Sequence, residues 1–317
     1  MRTHRWLGIG LISLGAGLVA NSVLGPLVFG IIDYPLSETL LNQTIGLDAV
    51  SLALVAPVSA LAGVLVLRGH GAGPVLGFGP AAYAWYMFLQ FVVGPEYAYY
   101  PGILPLHLGV FVLSGLVAVG AWGAIRTEGL PATSRRTDRV RGAVLLGLAA
   151  FLLSRYLPLA LAAVSGTGLS AEALEGVTMF WSIFLLDLGI VLPATIATAV
   201  GVIAGSAWGR KAMYAILGWW AFVPASVASM AIVMIANDDP HGSVGGTIVL
   251  VFAALAFAIF ATRVYQPLFR RQKTAEELPD LTAERTGRGS LAGAGSMDPG
   301  SSPSGGIPSR LEVSFHP

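Results

Sequence analysis

Cysteine is absent from all 317 residues. That removes disulfides, thiolate metal sites, iron–sulfur clusters and cysteine nucleophiles together. Charge is scarce as well: Asp, Glu, Lys and Arg make up 11% of the chain, against about a quarter in a soluble domain. The net charge is +1 and the basic residues are dispersed, so the footprint of a nucleic-acid binder is missing. No Walker loop, dinucleotide fingerprint, G-x-S-x-G or H-E-x-x-H motif occurs. The sequence calls for no cofactor.

What is present is apolar. Residues of hydrophobic type make up 55% of the chain, and about eight runs reach the ~20 residues needed to cross a bilayer. They fall near 7–30, 47–67, 73–93, 104–125, 142–165, 177–205, 211–236 and 244–266. The expected fold is an all-α polytopic membrane bundle of about eight helices over 1–273. From Thr274 the chain turns rich in Gly, Ser and Pro, the composition of a disordered tail over 274–317.

The turns alternate in character. One set is basic: Arg68-Gly69-His70, the stretch 126–141, Gly209-Arg210-Lys211, and 270–273. The other holds Asp33, Glu38, Glu96, Glu172, Glu175, Asp238 and Asp239, with no Lys or Arg. Basic turns face the cytoplasm, which predicts a multi-pass cell-membrane protein with both termini cytoplasmic and the bilayer as its first partner.

Arg2 and Arg5 precede the first run, and Leu18-Val19-Ala20 offers small residues for cleavage. The apolar stretch continues to Ile32, too long for a signal peptide, so a retained span is expected. Its Ser13, Gly17, Asn21 and Gly25 recur every fourth residue, a seam for close helix contact with Asn21 bonding across it. Ala197, Gly201 and Gly205 form a similar stripe. Pro57, Pro158, Pro193 and Pro224 lie deep in their runs, each freeing a carbonyl. Residues 35–46 have the spacing of a short interfacial helix, and Asn42-Gln43-Thr44 fits a glycosylation sequon. Leu47-Asp48 with Pro57 echoes Leu186-Asp187 with Pro193, which suggests a four-plus-four repeat.

Leu47-Asp48-x-Val50-Ser51-Leu52, Pro57, Arg68-Gly69, Tyr83, Tyr86, Gly94 and Leu113-Ser114 carry a likeness. On these features residues 46–120 resemble a family of prokaryotic polytopic membrane proteins with no known activity. The resemblance implies a membrane bundle and nothing about chemistry.

One cation breaks the pattern. Arg155 sits inside an apolar run, where an ionisable residue needs a partner. Asp187 in the next run is equally far from the intervening loop, so the two are expected level as a buried ion pair. Whether that pair works in transport or fixes helix register is open. A second group gathers toward the acidic side: Asp48, Tyr86, Gln90, Glu96 and His107, the convergent polar residues of an outer pocket for a small molecule or ion. Tyr97, Tyr99 and Tyr100 read as an interfacial aromatic belt. Asp238, Asp239 and His241 offer metal-ligand types, but Asn-Asp-Asp-Pro-His-Gly reads better as a turn.

These features order three functions. The first is binding or transport of a small molecule or ion through an outward-facing cavity. The second is a membrane enzyme acting at the outer face, through Glu96, His107 or Asp238 and Asp239. The third is a scaffold or accessory subunit without chemistry.

Overall fold

In the computed structural model, residues 4–94, 101–168, 174 and 176–289 are described. Eight helices among them are long and apolar enough to cross a membrane. They are α1 (Arg5–Leu24), α2 (Glu38–Leu67), α3 (Ala72–Val93), α4 (Leu104–Ala124), α5 (Arg135–Ser165), α6 (Val177–Ile203), α7 (Ala207–Ala236) and α8 (Val244–Gly289). The chain is an all-α, multi-pass membrane bundle. Residues 1–270 form one compact unit and 271–317 a second. Helical backbone continues to Gly289, past the expected tail boundary at 273; residues 290–317 lie outside the described part.

Helix α2 corrects the expectation for residues 35–46. That segment is no separate interfacial helix; α2 begins at Glu38, capped by the Ser37 hydroxyl, and runs into the span. Its N-terminal half packs on α7, where a Cβ on Gly46 would come within 2.5 Å of the Met230 backbone. Asn42 is buried and its amide donates to Asp239 Oδ2 at 2.9 Å, so the sequon is engaged inside the protein. The α1 seam also differs. Ser13 is exposed, and the close face uses Gly8 and Gly15, against Gly63 and Ala56 of α2. Residues seven apart return to the same helix face after two turns, whereas a four-residue ladder drifts around it.

Both second helices of the halves open by one turn. Ser51–Val55 in α2 and Asp187–Val191 in α6 adopt π-helical geometry, each followed two residues later by proline. A proline removes the N–H that its preceding turn would bond and pushes that carbonyl aside. The wider turn absorbs the mismatch.

These segments share one constant offset: 51 matches 187, 55 matches 191, and Pro57 matches Pro193. The next turns match too. Arg68 N–H bonds Val64 O at 3.0 Å as Ala204 N–H bonds Val200 O at 2.9 Å, and His70 bonds Leu65 as Ser206 bonds Gly201. Gly69 and Gly205 both take positive φ, 75° and 71°. Tyr86 meets Trp219 edge-on at 5.6 Å, and the equivalent pair, Phe222 and Tyr83, does so at 5.9 Å. Each half has four crossings, so the halves run the same way, the relation of a parallel repeat about an axis along the membrane normal. Helices α3 and α7 meet where Gly79 touches Gly218. The register differs from the sequence echo: Ser51, not Asp48, occupies the place of Asp187.

Candidate functional site

Asp187 is the first residue of the opened turn of α6, about 15 Å below the start of that helix at 1.5 Å per residue. It is 7% exposed. Tyr86 of α3 donates to its Oδ1 at 2.6 Å and Tyr156 of α5 to its Oδ2 at 2.5 Å. The expected partner is corrected here. Arg155 is exposed on the outside of α5, and among the described residues Asp187 forms no ion pair. Neighbouring residues on a helix point about 100° apart, so turning Tyr156 inward turns Arg155 outward.

A second buried network lies between α1, α2 and α4. Asp48 Oδ1 accepts from Asn21 Nδ2 at 3.3 Å and Ser22 Oγ at 3.2 Å. Asn21 Oδ1 also meets His107 Nε2 at 3.1 Å, and the Tyr34 hydroxyl lies 3.3 Å from the same nitrogen. Tyr34 stacks on Phe91 and His107. Asn21 does bond across its helix seam, as its place predicted. Asp48 Oδ2 has no described donor and lies against Gly25, where a Cβ would come within 3.0 Å.

The structure therefore divides the expected outer pocket. Tyr86 belongs to Asp187, whereas Asp48 and His107 join through Asn21. Asp48 and His107 are 1% and 0% exposed, and Gln90 is buried. Glu96, Tyr97, Tyr99 and Tyr100 fall outside the described residues. The cause is the start of α2: beginning at 38 rather than 47, it carries Asp48 about ten residues into the membrane instead of leaving it at the rim.

At the acidic face, Asp239 ties the last turn to α2. It accepts from Thr39 Oγ1 at 3.2 Å, Asn42 Nδ2 at 2.9 Å and the His241 backbone N–H at 2.9 Å. Desolvation pushes its carboxyl up, but the bonds from Asn42, His241 and Thr39, with the His241 charge, outweigh it and hold the group below the usual carboxylate range. Among the described residues Asp238, Asp239 and His241 do not gather as a metal-ligand group; Asp238 takes positive φ, 51°, in the turn.

A large cavity among the described residues lies elsewhere. About 800 Å³ opens between α3, α4, α6 and α7, where the two halves meet. Its walls are almost wholly apolar. Four of the seven tryptophans line it: Trp85, Trp122, Trp208 and Trp219. Leu186 and Tyr86, whose hydroxyl holds Asp187, are on the wall near mid-membrane. Toward the basic face Trp122 and Trp208 pack edge-on, and Lys211 lies over the Trp122 ring at 4.7 Å. Glu128 follows there; its own backbone N–H and the Thr127 hydroxyl, with the Arg126 and Lys211 charges, hold it below the usual carboxylate range.

No family model matches the chain, and neither the curated proteins nor the solved structures yield a match. The likeness over 46–120 rests on those residues alone. Sequence reading missed Tyr156 and the tryptophan-lined cavity. The signal for the second was the spread of tryptophans over α3, α4 and α7, but nothing in one dimension says that they face a common space.

Proposed function

We propose that this protein binds and carries an apolar or amphipathic small molecule, which enters the cavity sideways from the bilayer. The supporting observation is the place of that cavity: at the junction of two like-oriented halves, bounded near mid-membrane by the Tyr86–Asp187 pair. A volume of about 800 Å³ suits a drug-sized or acyl-chain ligand. The apolar lining argues for a different cargo from the polar solute or ion that an outward-facing pocket would take. Rocking of one half against the other is a common way for such repeats to alternate access, and the opened, proline-bounded turns of α2 and α6 give each half a place to bend. The basic turns support a cytoplasmic Lys211 end of the cavity.

For the enzyme alternative, His107 is buried and Asp239 is engaged by Thr39, Asn42 and the His241 backbone, while Glu96 lies outside the described residues. The cavity tryptophans provide the test. Titrating a brominated fatty acid into the protein in nanodiscs is expected to quench their fluorescence saturably. Filling the cavity with Gly115→Leu and Ala194→Leu should abolish the saturable part. Identical, non-saturating quenching in both proteins would sink the proposal.

A further inference from the structure

A second cavity, of about 310 Å³, lies at the basic face between the first turns of α5 and the inner end of α8. Arg136, Thr137, Val140 and Arg141 face it from α5, and Phe260, Arg263 and Val264 from α8. On α5 these positions are spaced i, i+1, i+4, i+5, one helix face. Three arginines thus line one space, and no acidic residue lines it with them. The nearest acid in sequence, Asp138, accepts from Thr133 Oγ1 at 2.5 Å.

Arg136 and Arg263 are exposed, as the positive-inside bias alone would have them. Arg141 is different. It is 8% exposed, and its Cζ lies over the Tyr214 ring, 5.8 Å from the centroid. An arginine so largely buried, with neither carboxylate nor carbonyl acceptor among the described residues, leaves its charge unpaired, and two further arginines beside it add repulsion. A bound anion removes both penalties. Planar, forked donors suit phosphate, which they bind through paired hydrogen bonds. Thr137 adds a hydroxyl, and the N-terminal end of α5 favours negative charge nearby.

We infer that this pocket binds a phosphate group, held by Arg136, Arg141 and Arg263. Its depth points to the source. Arg141 lies six residues, about 9 Å, inside the start of α5, level with the headgroup region, and Val140, Phe260 and Val264 continue the wall toward the bilayer. A phospholipid headgroup fits that boundary better than a soluble phosphate, and basic pockets between helices are a recurrent means of holding anionic lipids. The inference stands apart from the cargo cavity and does not rest on it.

The test uses the purified, delipidated full chain in detergent, with thermal unfolding as readout. Phosphatidylglycerol is expected to raise Tm saturably, well beyond the zwitterionic phosphatidylcholine. Arg141→Gln should weaken that effect about tenfold or more. The double variant Arg136→Gln/Arg263→Gln changes only exposed side chains, so it keeps the question answerable if Arg141→Gln fails to fold, and it should weaken the effect similarly. If glycerol 3-phosphate protects as well as the lipid, in the same arginine-dependent way, the phosphate site stands and its occupant is soluble. Equal protection by both lipids, unchanged in the double variant, overturns the site.

Discussion

Deleting the Tyr86 or the Tyr156 hydroxyl leaves Asp187 with a single donor in an apolar surrounding. A buried acceptor deprived of a charge-assisted bond costs about 1–2 kcal/mol. Tyr86→Phe and Tyr156→Phe are each expected to lower resistance to thermal unfolding in detergent by that order. The double variant should depart from additivity, because both act on one carboxylate. Arg155→Gln should cost less than about 1 kcal/mol or even stabilise, since an unpartnered guanidinium on the apolar outside of α5 makes no bond to lose. Were Arg155→Gln the more damaging, the tyrosine-held carboxylate would be the wrong account. Neither tyrosine was legible as a partner beforehand. Depth, computable by counting residues from a loop, put Asp187 level with 155 and 156 alike; only rotation about α5 separates an arginine from the tyrosine beside it.

At the scale of helices, backbone contact decides the packing. Gly209 of α7 and Gly73 of α3 occupy equivalent places at the start of the third helix in each half. A Cβ on Gly209 would come within 2.5 Å of Val202 N, and one on Gly73 within 2.7 Å of Val66 N. Atoms that close must move, and overpacking of this kind costs about 1–3 kcal/mol. Gly209→Ala and Gly73→Ala should each lower the unfolding midpoint, whereas Gly147→Ala, on α5 with nothing within 4 Å of its Cβ, should leave it unchanged or raise it. Unchanged or raised midpoints at all three positions would mean that helix propensity, not contact, dominates. The glycines and the deep prolines were visible in the sequence. Which glycines touch was not: the fourfold ladder in α1 named Ser13, which is exposed, and passed over Gly8 and Gly15. Pro57 and Pro193 were noted as carbonyl-freeing residues, and the opened turns just before them are that effect made visible.

For the whole molecule, orientation is the property to test, and the absence of cysteine makes the test direct. Single cysteines at Ser134→Cys, between α4 and α5, and Ser243→Cys, before α8, place one thiol on each face. A membrane-impermeant maleimide applied to intact cells should label Ser243→Cys and should reach Ser134→Cys only after permeabilisation. The reverse result would turn the molecule over and move the arginine pocket to the other leaflet.

The sequence by itself determined the crossings and the alternation of basic and acidic turns, because the solvent that a segment must meet, hydrocarbon or water, acts on composition and length alone. It also carried the internal echo, off by the three residues that separate Asp48 from Ser51. Tertiary structure alone decided that α2 starts nine residues early and draws Asp48 inside, that Tyr156 rather than Arg155 meets Asp187, and that tryptophans from three helices enclose one space. Each of these depends on the rotation and closeness of helices about their neighbours. A lipid-facing helix loses little by turning, since its surroundings are as apolar as its own core, so rotation is fixed by specific side-chain contacts that hydrophobic pattern does not encode.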